Sequence, residues 1–130
     1  MKIKTIYITI IISVGLILFG CSSSVEPEIH QEPTFSLSTE PTRITAGDSA
    51  EIELSIEQHG FGGMSGLTIH GEMHMPNDAG EVEVDFHEST EHAGHYHAEY
   101  VFAVAGIYEL HSSFMHDGEK VERIFTIDVQ

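Results

Sequence analysis

The chain has 130 residues, with 21 acidic side chains, five basic ones and ten histidines, for a formal charge of −16 at pH 7. Such a field excludes nucleic acid and anionic lipid headgroups as partners and raises the local concentration of cations. A single cysteine excludes an intramolecular disulfide, and the length suits one domain with one modest core.

Met1–Lys4 is a short basic start, residues 5–19 are almost wholly apolar, and Leu18-Phe19-Gly20-Cys21 precedes Ser22-Ser23-Ser24. Basic region, apolar region and small residue at the cut follow the order of a secretory signal. The apolar run is shorter than the roughly 20 residues of a spanning helix. Leu18–Cys21 resembles a bacterial lipobox, which implies diacylglyceryl transfer to Cys21 and cleavage before it. Residues 1–20 are therefore expected to be a lipoprotein signal peptide. The acylated chain is expected on the extracytoplasmic face of the cell membrane, anchored by lipid without spanning. Three basic residues then remain, Arg43, Lys120 and Arg123, against all 21 acidic ones, a formal charge of −18. Residues 21–33, rich in Ser, Glu and Pro and without periodicity, read as a flexible tether.

From residue 34 onward, β-strands dominate. Phe35, Leu37 and Thr39 alternate with polar residues in a short first strand. Ala50, Ile52, Leu54 and Ile56 alternate with Glu51, Glu53, Ser55 and Glu57 in a clear half-buried second one. A glycine-rich loop, His59–Gly66, follows. Leu67, Ile69, Met73 and Met75 mark the inward side of a third strand, ended by Pro76-Asn77-Asp78-Ala79-Gly80. Val82, Val84 and Phe86 make a fourth. Tyr96, Ala98, Tyr100, Phe102 and Val104 make a fifth after the polar loop 88–94. Ala105-Gly106 leads into a sixth with Tyr108, Leu110, Ser112 and Phe114 inward. Asp117-Gly118 signals a hairpin into a last strand carrying Val121, Arg123, Phe125, Ile127 and Val129. About seven short strands without a helical period predict an all-β, immunoglobulin-like two-sheet sandwich over 34–130, without its disulfide.

Nine of the ten histidines lie between His59 and His116. Strand side chains alternate, so the apolar assignment fixes which residues face outward. His70, Glu72 and His74 point out of the third strand, and Glu109, His111, Ser113 and Met115 out of the sixth. Those strands are neighbours in an immunoglobulin-like sheet, so one face is expected to collect His70, His74, His111 and Met115. A second collection is expected on the other sheet: His95 and His97 together, His87 from the preceding strand, and His92 in the loop between. Imidazole and thioether are ligands for borderline and soft transition metals, copper above all. A His-x-His pair on a strand supplies two equatorial nitrogens to copper(II) or zinc.

Among the methionines, Met73 is expected in the core, where a flexible thioether packs. Met75, at a strand end, is in reach of the surface. Met115-His116 at the last hairpin is the better metal candidate, because a turn leaves both exposed. Mixed His and Met favours copper(I); His with Glu favours copper(II) or zinc.

Met75-Pro76 ending a strand, Gly94-x-Tyr96-x-Ala98, Phe102-x-x-Ala105-Gly106-x-Tyr108 and the Asp117-Gly118 hairpin together resemble the YtkA-like (FixH-related) family of exported bacterial domains. The resemblance covers about Leu67 to Val129. It implies a lipoprotein with a small β-sandwich and, for some members, copper supply to terminal oxidases. That family's Met/His-rich segment after Met-Pro is replaced here by Asn77-Asp78-Ala79-Gly80, which shifts weight from Met75 to His111, Met115 and His116.

No Gly-x-Ser-x-Gly, phosphate loop or dinucleotide fingerprint is present, and acylation would consume the only thiol, so no enzyme is expected. The leading expectation is a membrane-anchored copper carrier or buffer meeting an envelope partner such as a terminal oxidase. A metal-free interaction module and a pH-responsive binder are the alternatives.

Overall fold

A computed structural model describes residues 31–130. The expected signal peptide (1–20), the expected acylation site at Cys21 and most of the expected tether (21–33) lie outside the described residues. At the tether's end, Pro33 is buried and Glu32 meets Arg123 at 3.1 Å.

Nine strands in two antiparallel sheets form a β-sandwich: β1 (Thr34–Glu40), β2 (Ser49–Gln58), β3 (Gly62–Gly63), β4 (His70–His74), β5 (Glu81–Asp85), β6 (His87–Glu88), β7 (His95–Val101), β8 (Gly106–His116) and β9 (Glu119–Val129). One sheet runs β1-β2-β7-β6, with β3 added to β2; the other runs β5-β4-β8-β9. These are the immunoglobulin orders A-B-E-D and C′-C-F-G. Two of the nine strands are only two residues long, so the expected seven are the substantial ones. Among the described residues no helix is long and apolar enough to cross a membrane.

The alternation read from the sequence builds the core. Ile52, Leu54 and Ile56 from one sheet meet Met73, Tyr108, Leu110 and Phe114 from the other, all buried. Each such large side chain contributes about 1.5–3 kcal/mol by leaving water. Tyr108, near the start of β8, donates its hydroxyl proton to the Val104 carbonyl (3.0 Å) and accepts the Val104 amide (3.2 Å). This is the tyrosine corner of immunoglobulin sandwiches, and Leu110 stands two residues on, where those domains carry a cysteine. Tyr96 does a similar job for the glycine-rich loop. Its hydroxyl donates to the Met64 carbonyl at 2.7 Å and accepts the Leu67 amide at 3.0 Å.

Three sequence expectations change. Val82, Val84 and Phe86 do not form one strand: β5 ends at Asp85 in one sheet, and β6 begins at His87 in the other. The chain crosses between sheets at Phe86, whose ring lies over Gly71; a Cβ there would sit 2.7 Å from Phe86 Cε2. The fifth strand ends at Val101, before Phe102 and Val104. Phe102 bonds instead to the 47–48 turn (Phe102 N–H to Asp48 O, 2.9 Å), and Val104 is exposed. The third strand is shorter than expected, because Leu67–Ile69 precede β4 without pairing. The β8–β9 hairpin turns as anticipated, with left-handed Asp117 (φ 50) and Gly118 (φ 81).

Candidate metal centre on the outer face of β4

The outer face of the second sheet is a grid of histidines and carboxylates fixed by register. Across β5, β4 and β8, three rows read Asp85–His70–Ser113, Glu83–Glu72–His111 and Glu81–His74–Glu109. Inward-facing Gly71 and Met73 hold β4 to the core and so present His70, Glu72 and His74 to solvent. An open polar groove of about 380 Å³ runs over this face, bordered by His70, Glu72, Glu83, His111, Lys120 and Glu122.

His74 is the best-surrounded residue on the face. Its Nε2 lies 2.7 Å from Glu72 Oε1 and its Nδ1 lies 3.7 Å from Glu81 Oε2. Its ring stacks on that of His111. Glu72, His74 and Glu81 each offer a ligand atom, and these atoms lie within 4.8 Å of one another. A neutral imidazole has one donor and one acceptor nitrogen, whereas carboxylates only accept. With carboxylates beside both nitrogens, one contact of a neutral ring sets lone pair against lone pair, which a second ring proton or a bound cation relieves. Imidazole nitrogen with carboxylate oxygen is a donor set for zinc or copper(II). The three residues can therefore hold a metal ion, mostly exposed to solvent.

The remaining predicted ligands are spread out. His111 joins the face, with Nε2 3.5 Å from Glu109 Oε2, and His70 stands at its far row opposite Asp85 and Ser113. Met115 does point outward, 60% exposed, but it lies beyond the β4–β8 pairing and opposite Lys120. Four residues along the strand from His111 amount to about 14 Å, so it does not complete the His74 group. Met115 and His116 do not share a face. β8 runs straight through His116, so the two neighbours face opposite sides of the sheet. His116 sits at the end of the core side, with Nε2 3.3 Å from Asp117 Oδ2. Met75 packs partly buried against the core and does not turn outward.

His95 and His97 sit on the outer face of the other sheet, as expected. Their carboxylate partners are Glu53 and Glu51 of β2, and His87 of β6 stands directly opposite His97. Sequence reasoning placed Glu72 and Glu109 on the first face but missed Glu81 there, and on the other face it missed Glu51 and Glu53 as partners of the histidines. Glu81 alternates with Val82, Glu83 and Val84 in a pattern that places it outward; only the β4–β5 register says which histidine it meets.

Two acidic groups titrate low for local reasons. The Glu88 carboxylate accepts the Gly66 amide (2.8 Å), and that bond, with help from Ser65, holds it below the usual carboxylate range. Glu122 is lowered by its hydrogen bond and charge contact with Lys120, 2.7 Å away. Burial pushes the Tyr96 phenol up, and the Glu88 charge adds to this.

Comparison with known protein families finds no match for this chain, and no curated protein matches it either.

Proposed function

We propose that this chain is a membrane-anchored, extracytoplasmic metal-binding lipoprotein, a copper carrier or buffer for envelope proteins such as a terminal oxidase. The observation that carries the metal reading is the convergence of Glu72, His74 and Glu81 to within 4.8 Å. The resemblance to YtkA-like domains and the lipobox-like Leu18–Cys21 support the anchor and the copper assignment. Oxygen and nitrogen donors, with Met115 out of reach, favour copper(II) over copper(I) and leave zinc as the competing ion. An exposed, partly pre-formed centre on a tethered domain suits an ion that is taken up and passed on. Surrounding carboxylates raise the local cation concentration and speed its capture.

The test is titration of the full-length protein in detergent micelles with copper(II), copper(I) and zinc against a competing chelator. Tight, stoichiometric copper(II) binding by the wild type, reduced by one ion in a His74→Asn, Glu81→Gln variant, is the expected result. Weak, non-stoichiometric binding unaffected by those substitutions would reject the reading in favour of a metal-free interaction module.

A further inference from the structure

We propose that the outer face of β2, β6 and β7 is a second, independent site for a divalent transition cation, centred on Glu53 between His95 and His97. It lies on the opposite sheet from Glu72, His74 and Glu81, shares no residue with them, and does not depend on that group binding metal.

The register assembles it. Glu53 of β2 pairs directly with His97 of β7, and His97 pairs in turn with His87 of β6. One carboxylate oxygen of Glu53 lies 3.2 Å from His95 Nδ1 and the other 3.5 Å from His97 Nε2. His97 Nδ1 lies 3.2 Å from Glu51 Oε1. His92 brings a fourth imidazole close, its ring centroid 5.6 Å from that of His95.

Two features of this cluster are unsatisfied while the rings are neutral and no ion is bound. First, His97 faces a carboxylate oxygen with each ring nitrogen. A neutral ring donates one proton, to Glu51 or to Glu53, and presents a lone pair to the other. Second, His95 Nδ1 is shut off from solvent and makes no hydrogen bond. Its 3.2 Å approach to Glu53 is within ion-pair distance but out of hydrogen-bonding alignment. A buried polar atom without a partner is uncommon and points to a missing ion or water.

The charge balance of the face agrees. β1, β2, β3, β6 and β7 carry no lysine or arginine, whereas Glu40, Glu51, Glu53, Glu57 and Glu99 all stand on them and are exposed or half-buried. Among the described residues the three basic ones lie elsewhere: Arg43 in the 41–48 connection, Lys120 and Arg123 on β9 of the other sheet. No described residue on this face neutralises Glu51 and Glu53 except the imidazoles themselves, unless a bound ion does so. Two imidazole nitrogens with one or two carboxylate oxygens form a donor set for zinc or copper(II), and His87 stands opposite His97 in the register.

The experiment is calorimetric titration of the full-length protein in detergent micelles with zinc(II) alone, in four forms. These are the wild type, His95→Asn with His97→Asn, His74→Asn with Glu81→Gln, and Glu53→Gln. Circular dichroism of each confirms the fold. The wild type is expected to bind two ions and each double variant one. Glu53→Gln is expected to weaken one of the two sites at least tenfold and serves if the His95/His97 variant does not fold. A wild type that binds one ion, retained in the His74/Glu81 variant and lost in the His95/His97 variant, upholds this site and removes the one on β4. Two ions retained in the His95/His97 variant, or an affinity indifferent to Glu53→Gln, overturns the proposal. So does a single ion lost with His74, or the absence of stoichiometric zinc.

Discussion

The imidazole of His74 lies against that of His111, ring centroids 4.1 Å apart and planes inclined by 27°. The two come from adjacent strands and meet on a diagonal of the register, His74 opposite Glu109 and His111 opposite Glu72. Metal ligation needs an imidazole nitrogen free of its proton. The contact orients the His74 ring beside Glu72 and Glu81 and makes His111 a support or a second ligand.

His74 is therefore the residue whose loss matters most on this face. His74→Asn is expected to weaken copper(II) or zinc binding there at least about tenfold, the scale on which even supporting contacts act. His111→Asn should weaken it less, and Met115→Leu not at all. Chelator-competition titrations of the three variants check the order; an effect of Met115→Leu equal to that of His74→Asn would contradict it.

Acid weakens the fold through Glu88. Its carboxyl titrates below the ordinary value near 4.5 in the folded chain, so its ionised form stabilises. That contribution is complete above the ordinary carboxylate value and disappears as the pH falls through the lower folded one. Glu88→Gln should lower the melting temperature at pH 7 and match the wild type once the Glu88 carboxyl is protonated in the folded and unfolded chain alike. A difference that stays constant from pH 7 to pH 2 would refute this.

At the alkaline end the sign is reversed for Tyr96. Burial raises its phenol above the ordinary 10.0, so the neutral hydroxyl stabilises the fold below that value. The stabilisation is lost as the pH rises through the folded value. Tyr96→Phe leaves the Leu67 amide and the Met64 carbonyl without their partner and is expected to cost about 1–3 kcal/mol in urea unfolding at pH 7. The same variant should lose less stability than the wild type above pH 10.

Gly71→Ala should be more damaging than a solvent-side view of β4 suggests. The new methyl would stand 2.7 Å from the Phe86 ring and 2.9 Å from the Val84 carbonyl. Displacing them overpacks the crossing between sheets, at about 1–3 kcal/mol. Thermal melts measure it, and an unchanged melting temperature would mean that Phe86 moves aside freely.

Much of this fold is legible in the sequence because alternation is a local property. Ala50–Ile56 and Tyr108–Phe114 declare their buried faces in the order of their residues, and Asp117-Gly118 declares its turn. Where backbone pairing depends on distant partners, the signal fades. Nothing local says that Phe86 leaves one sheet for the other, or that Val104 lies past the end of its strand because Phe102 bonds to Asp48. The site divides in the same way. His70, His74 and His111 are readable as one face from alternation plus strand order. The pairing of His74 with Glu81, and of Glu53 with both His95 and His97, depends on register across separate strands. Met115-His116 misleads because a hairpin suggests shared exposure, while the strand continues to the turn and sends the two side chains to opposite sides.

The tyrosine corner at Tyr108 is followed by buried Leu110, and residues 31–130 contain no cysteine at all. The two sheets are therefore held by apolar packing where related sandwiches use a covalent strap, and the domain is indifferent to the thiol–disulfide balance around it. Its melting temperature should be the same with and without dithiothreitol. A bound copper ion would also find no protein thiolate within the sandwich to reduce it.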